Sequence, residues 1–260
     1  MRLPIYQVDA FAPRVFGGNP AAIVPLETWL PDAVMQSIAA ENNLAETAYL
    51  VPAEGAWGLR WFTPTVEVDL CGHATLASAW VVFEHLRRGS TEIGFDTRSG
   101  RLTVRREGEL LVMDFPARAP ARIATPASLA EGLGATPREV WAARDMMAVF
   151  DRAQQVRALK PDMVALERLD TFAIIATAPG DGDCDFVSRF FAPRQGIPED
   201  PVTGSAHCTL TPYWSSRLGR KELRAQQVSP RGGELICRDQ GERVAIAGRA
   251  VPYLEGIITI

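Results

Sequence analysis

Apolar and polar residues alternate through residues 3–11 and again through 21–25, the period-two pattern of strands with one face buried. Gly17-Gly18-Asn19-Pro20 between them is a turn cluster. Behind Pro31 and Asp32 the spacing changes: Leu30, Val34 and Ile38 recur every four residues, which predicts a helix ending around residues 41–43. Strands are expected at 47–51 and 61–63, the latter joined through 64–70 to Cys71-Gly72-His73-Ala74. From 74 to 86 the chain is small and apolar nearly all round, the mark of a helix enclosed by other structure. Short strands at 93–96, 102–106 and 110–115, separated by glycine-containing turns, complete the first half.

Residues 116–126 are rich in Ala, Pro and Arg and read as the boundary between a first lobe, 1–116, and a second, 117–260, whose last strand is a candidate to cross back. Thr136-Pro137-Arg138-Glu139 reads as a helix start with proline at its first position, although 140–143 fits a strand equally. Residues 146–150, 172–176 and Phe186–Ala192 read as strands, and 161–169 as a short helix. Phe62-Thr63-Pro64, a loop and Gly72-His73-Ala74 correspond to Phe191-Ala192-Pro193, a loop and Gly204-Ser205-Ala206, and a tryptophan follows each, Trp80 or Trp214. Solenoid repeats recur every ~20 to 50 residues, so correspondence across half the chain points to duplication into two like-folded domains.

With 260 residues, 47% hydrophobic and 22% charged, the chain can bury a sizeable core without staples. A net charge of -4 provides no positive field for phosphate backbones, so nucleic acid is not an expected partner. No apolar run approaches the ~20 residues of a membrane span, and Pro4, Gln7, Asp9 and Pro13 interrupt what a signal peptide would need, so no membrane partner and a cytoplasmic location are expected. Cys71, Cys184, Cys208 and Cys237 form no CxxC pair, and His73, His85 and His207 lack HExxH spacing, so no metal is expected.

If the halves face each other, each brings the start of an apolar helix to one cleft. Free backbone N–H groups there attract anions, and Gly72 and Gly204 would let a carboxylate or enolate oxygen approach. A lone glycine serves tight packing; its recurrence in both halves favours the functional reading. Glu46 stands among apolar residues with no Lys or Arg nearby, and burial there would leave it able to give and take a proton near neutrality. The alternative is an acid on the solvent side of a strand edge. Asp200, ahead of Pro201, either contacts substrate or caps the second helix. His73 hydrogen-bonds a substrate or satisfies a buried group. Cys71 is a candidate thiolate at a helix N-terminus or an inert small hydrophobe. Asn19 offers a side-chain amide, or is a turn residue.

Val8-Asp9-Ala10-Phe11, Gly18-Asn19-Pro20-Ala21, Asn43-Leu44-Ala45-Glu46-Thr47-Ala48, Cys71-Gly72-His73-Ala74-Thr75 and Glu199-Asp200-Pro201-Val202-Thr203-Gly204-Ser205-Ala206-His207 together resemble the PhzF-like family of phenazine-biosynthesis isomerases. The resemblance implies an α+β fold like that of diaminopimelate epimerase: two pseudosymmetric domains, each a β-barrel-like sheet around a central helix, with the active site between them. It also implies a homodimer, no cofactor or metal, and a small carboxylic acid substrate. Glu46 would move a proton within an amino or hydroxy acid. His73, Asp200 and Ser205 would hold the substrate's polar groups, while Asn19, Cys71, Gly72 and Gly204 complete the binding set. Ala45 departs from the serine common in the phenazine enzyme, which removes a substrate hydrogen bond. Two other readings remain: a two-thiol racemase or epimerase using Cys71, and a non-catalytic small-metabolite binding protein. Against the two-thiol reading, Val202 and Thr203 leave the corresponding position in the second half without a cysteine.

Overall fold

The computed structural model describes residues 1–260. The chain forms two compact units, Met1–Asp114 with Ala247–Ile260, and Phe115–Ile246. Both are α+β. No helix is long and apolar enough to cross a membrane.

The first unit runs β1 (Arg2–Ala10), β2 (Asn19–Pro25), α1 (Asp32–Asn42), β3 (Glu46–Ala53), β4 (Ala56–Phe62), β5 (Glu67–Val68), α2 (Gly72–Val81), β6 (Glu92–Thr97), β7 (Gly100–Glu107) and β8 (Leu110–Pro116). β1 and β2 pair antiparallel, β2 and β3 parallel, β3 and β4 antiparallel, β4 and β6 parallel, and β6, β7 and β8 antiparallel in turn. α1 buries Met35, Ile38 and Ala39 against a core that includes Val24, Tyr49 and Phe62, and the Tyr49 hydroxyl donates to the Met35 carbonyl at 2.6 Å. Asn43 stops the helix in the left-handed conformation, φ 50°, one that asparagine tolerates better than most residues. The chain therefore turns at once into β3, whose first residue is Glu46.

α2 buries His73, Ala74, Thr75, Leu76, Ala77, Ser78, Ala79 and Val81, which matches its all-round apolar pattern, and it packs on β1, β2 and β3. It starts two residues before the expected 74, and over Val82–Leu86 it widens into a π-turn whose wider bonding leaves no trace in apolar spacing.

The second unit runs β9 (Ala121–Ile123), α3 (Ala127–Leu133), β10 (Glu139–Ala142), β11 (Met146–Val149), α4 (Ala153–Arg157), α5 (Met163–Glu167), β12 (Ile174–Pro179), β13 (Phe186–Ala192), β14 (Ile197–Asp200), α6 (Gly204–Leu218), β15 (Glu222–Gln227), β16 (Gly233–Asp239) and β17 (Arg243–Gly248). Its pairing repeats that of the first unit: β10 and β11 antiparallel, β11 and β12 parallel, β12 and β13 antiparallel, β13 and β15 parallel, β15 and β16 antiparallel. Leu129, Phe150, Ile174 and Phe191 belong to its core. The helix start expected at Thr136 is instead the approach to β10, the strand alternative, and β9 lies within the stretch read as a connector. The last strand, β18 (Ala250–Thr259), returns to the first unit and pairs antiparallel with β1, from Arg2 opposite Thr259 to Ala10 opposite Ala250.

Candidate active site

In the first unit four candidate residues converge at the start of α2. Gly18 takes φ +64°, and a Cβ there would lie 2.1 Å from the Ala10 carbonyl oxygen, so only glycine closes the turn that delivers Asn19 to β2. Parallel pairing of β2 with β3 sets Ala21 opposite Glu46. Cys71, in extended conformation, caps α2, and Thr75 donates from its hydroxyl to the Cys71 carbonyl at 2.6 Å.

These placements bring His73 Nε2 within 2.9 Å of Glu46 Oε2. Asn19 Nδ2 lies 3.1 Å from His73 Nδ1, and Cys71 Sγ lies 3.5 Å from the same nitrogen. With the amide donating to Nδ1, a neutral ring carries its proton on Nε2, toward Glu46. Glu46, Cys71 and His73 are buried, at 8%, 7% and 5% exposure, so Glu46 is no solvent-facing edge acid. Nor does it lack a cationic neighbour, since His73 supplies one from a separate element. Glu46 Oε2 nevertheless has no well-aligned hydrogen bond, which leaves that buried oxygen dependent on the ring contact.

Two opposing influences act on His73: burial works against its cation, and the adjacent Cys71 and Glu46 side chains outweigh burial, holding it well above its ordinary value. Burial first, and the Glu46 carboxylate second, push the Cys71 thiol up to about 11. That direction runs against helix-terminus activation and favours the second of the two readings of Cys71, a protonated buried thiol.

In the second unit Asp200, Gly204 and Ser205 gather at the start of α6. Asp200 is not the cap of the helix; Thr203 holds that position, and its hydroxyl donates to Asp200 Oδ2. Gln227 on β15 locks the turn: its Oε1 accepts from Thr203 N at 2.9 Å and its Nε2 donates to the Asp200 carbonyl at 2.7 Å. Arg144 donates to Ser205 Oγ at 3.2 Å, grips the buried Asp145 through both oxygens at 3.0 and 3.1 Å, and lies 4.3 Å from the Phe172 ring centroid. Gly72 and Gly204 are the first residues of their helices.

Sequence reasoning missed Arg144, Asp145 and Gln227. Their contacts span 61 residues for Arg144 with Ser205 and 24 for Gln227 with Thr203, and no local pattern announces them. It also missed a possible ligand set: Glu46, Cys71 and His73 each offer one metal-ligating atom, all within 4.8 Å of one another. A search for CxxC or HExxH spacing cannot find a set made by a strand and a helix start.

A fold of this kind, two α+β units with the same strand pairing, defines a protein of the diaminopimelate epimerase-like fold. The family model described as phenazine biosynthesis-like protein matches residues 8–256, and the chain belongs to that family. It is 52% identical over 258 residues to an uncharacterised isomerase of Pseudomonas aeruginosa, covering 99% of each chain. The crystal structure of a PhzF-family protein from Enterococcus faecalis matches with a TM-score of 0.98 at 47% identity over 100% of both chains. A hydroxyproline epimerase from Agrobacterium vitis shares the fold alone, with a TM-score of 0.61 at 12% identity over 99% of this chain and 92% of its own.

Proposed function

We propose that this protein is an isomerase that moves a proton within a small amino- or hydroxy-carboxylic acid, with the Glu46 carboxyl as the proton carrier. The observation that carries the reading is the buried contact of 2.9 Å between Glu46 Oε2 and His73 Nε2, with Asn19 behind the ring. A general acid/base needs a fixed position within reach of the proton it moves, and the ring contact fixes this carboxyl.

The Glu46 carboxylate takes a proton from one carbon of a conjugated acid and the carboxyl so formed returns it to another carbon, so Glu46 ends as it began, the product is an isomer and no electrons are exchanged. The backbone N–H groups at the helix starts would stabilise the developing enolate, usually the largest single contribution in such sites. In this reading His73, Asp200 and Ser205 hold the substrate's polar groups, with Asn19, Cys71, Gly72 and Gly204 completing its contacts. The enzyme works without a cofactor, as a cytoplasmic homodimer.

A two-thiol racemase would need a second cysteine at the start of α6, where Thr203 stands. Deuterium incorporation from heavy water, followed by NMR over a panel of small amino and hydroxy acids, tests the proposal. Wild type should exchange at least one of them, and Glu46→Gln should slow that exchange about 100-fold or more. Equal exchange by both proteins, or none by wild type across the panel, would overturn the reading.

A further inference from the structure

Glu46, Cys71 and His73 meet the requirements of a ligand that the proposed reaction does not use. His73 Nε2 lies 2.9 Å from Glu46 Oε2 and 4.0 Å from Cys71 Sγ, and the three ligating atoms fall within 4.8 Å of one another. Around a tetrahedral zinc ion with bonds of ~2.0–2.3 Å, neighbouring ligand atoms stand roughly 3.3–3.7 Å apart. Opening the His73–Glu46 contact by a few tenths of an ångström, and closing the widest pair by at most about an ångström, would therefore centre an ion among them. We propose that Glu46, Cys71 and His73 bind one thiophilic divalent cation of the zinc type, whose occupancy withdraws the Glu46 carboxylate from proton transfer. The second clause rests on the function proposed above; the binding itself does not.

The chemistry of the donors agrees with the geometry. Bound as thiolate and carboxylate, Cys71 and Glu46 would carry two negative charges, which a dication cancels while a neutral imidazole completes the set. One sulfur, one nitrogen and one oxygen suit zinc better than magnesium or calcium, which prefer oxygen alone. Asn19 provides the outer support that metal-bound histidines use: with Nε2 on the ion, Nδ1 carries the proton, and a half-turn of the amide presents oxygen to it. Three protein ligands leave the fourth position for water or a substrate carboxylate.

Cobalt(II), added to chelator-treated full-length protein, is the probe. Wild type should take up one ion per chain, with a near-ultraviolet thiolate-to-cobalt band and the intense visible absorption of four-coordinate cobalt, both erased by equimolar zinc. Zinc binding to wild type at pH 7 should release at least one proton, and apparent affinity should rise about tenfold or more per pH unit between pH 6 and 8. Cys71→Ser should lose the thiolate band, while Cys184→Ser, at a half-buried thiol, should keep it.

A six-coordinate cobalt spectrum, no proton release from wild type, or a band that survives Cys71→Ser would overturn the site. In the exchange assay, activity should fall in step with zinc occupancy and return with chelator. Full exchange at full occupancy would overturn the inhibitory clause alone. If wild type exchanges no substrate, the functional reading fails, while spectrum, stoichiometry and proton release still judge the site.

Discussion

In the first unit Thr47 pairs with Phe62, and the residue before it is Glu46. In the second unit Ile174 pairs with Phe191, and the residue before it is Ala173, fully buried. The helix starts compare in the same way, Cys71 and His73 against Thr203 and Ser205. Strand order and direction are thus common to both units, while groups that can carry a proton or bind a metal stand only at the first set of positions. The second set offers hydroxyls that accept from Gln227 and Arg144. Duplicated backbone sets the places, and exchange of three side chains decides what each place can do.

The harshest way to break the comparison is to move the acid. Ala173→Glu would bury a carboxyl without His73's equivalent and should destabilise the protein by about 4 kcal/mol, measured by urea denaturation at pH 7. A stability within about 1 kcal/mol of wild type would mean that the second unit tolerates the charge and that the halves differ less than their side chains suggest.

Next in size is a contrast between two buried histidines. Burial lowers His207 to about 4, its Nδ1–H donating to the Thr203 carbonyl at 2.8 Å, while His73 is raised. The unfolded state takes up a proton near pH 6.5 that folded His207 refuses until about 4, so stability present above pH 6.5 falls as pH drops through that interval, by about 3 kcal/mol. His73 has the opposite sign: its contribution is complete below pH 6.5 and is lost as pH rises through its folded value. Urea midpoints across pH should therefore flatten on the acid side in His207→Gln and on the alkaline side in His73→Asn. Unchanged slopes in both variants would remove the distinction.

The smallest effect concerns the caps. Thr203→Val deletes the hydroxyl shared by Asp200 and Gln227 and should cost about 2 kcal/mol, read as a lower denaturation midpoint. No loss would show that the Gln227 amide alone holds the α6 start.

Much of this was legible in the chain. The four-residue spacing of Leu30, Val34 and Ile38 gives α1, and the unbroken small-residue run after Cys71 gives a buried helix, because burial on every side leaves no polar stripe to conserve space for. The motif order gives the family. β5 and β9, of two and three residues, escape because so short a strand has no period and exists only through its partner. α4, also missed, is five residues long, too short to present an apolar face twice. At the site, Glu46 was visible as an acid among apolar neighbours, but its partner was not, since His73 arrives from another element.

β18 has a temporal meaning. The half that carries Glu46 is built from two separate stretches, Met1–Asp114 and Ala247–Ile260, the second translated only after the whole of the other unit, and Ile260 N donates to the Met1 carbonyl at 2.8 Å. A ribosome can release a finished Phe115–Ile246 segment while β1 still waits, its edge open, for a strand not yet translated. Completion of the half that carries Glu46 is thereby tied to translation of residues 250–259, and a chain stopped before them would leave β1 without this partner.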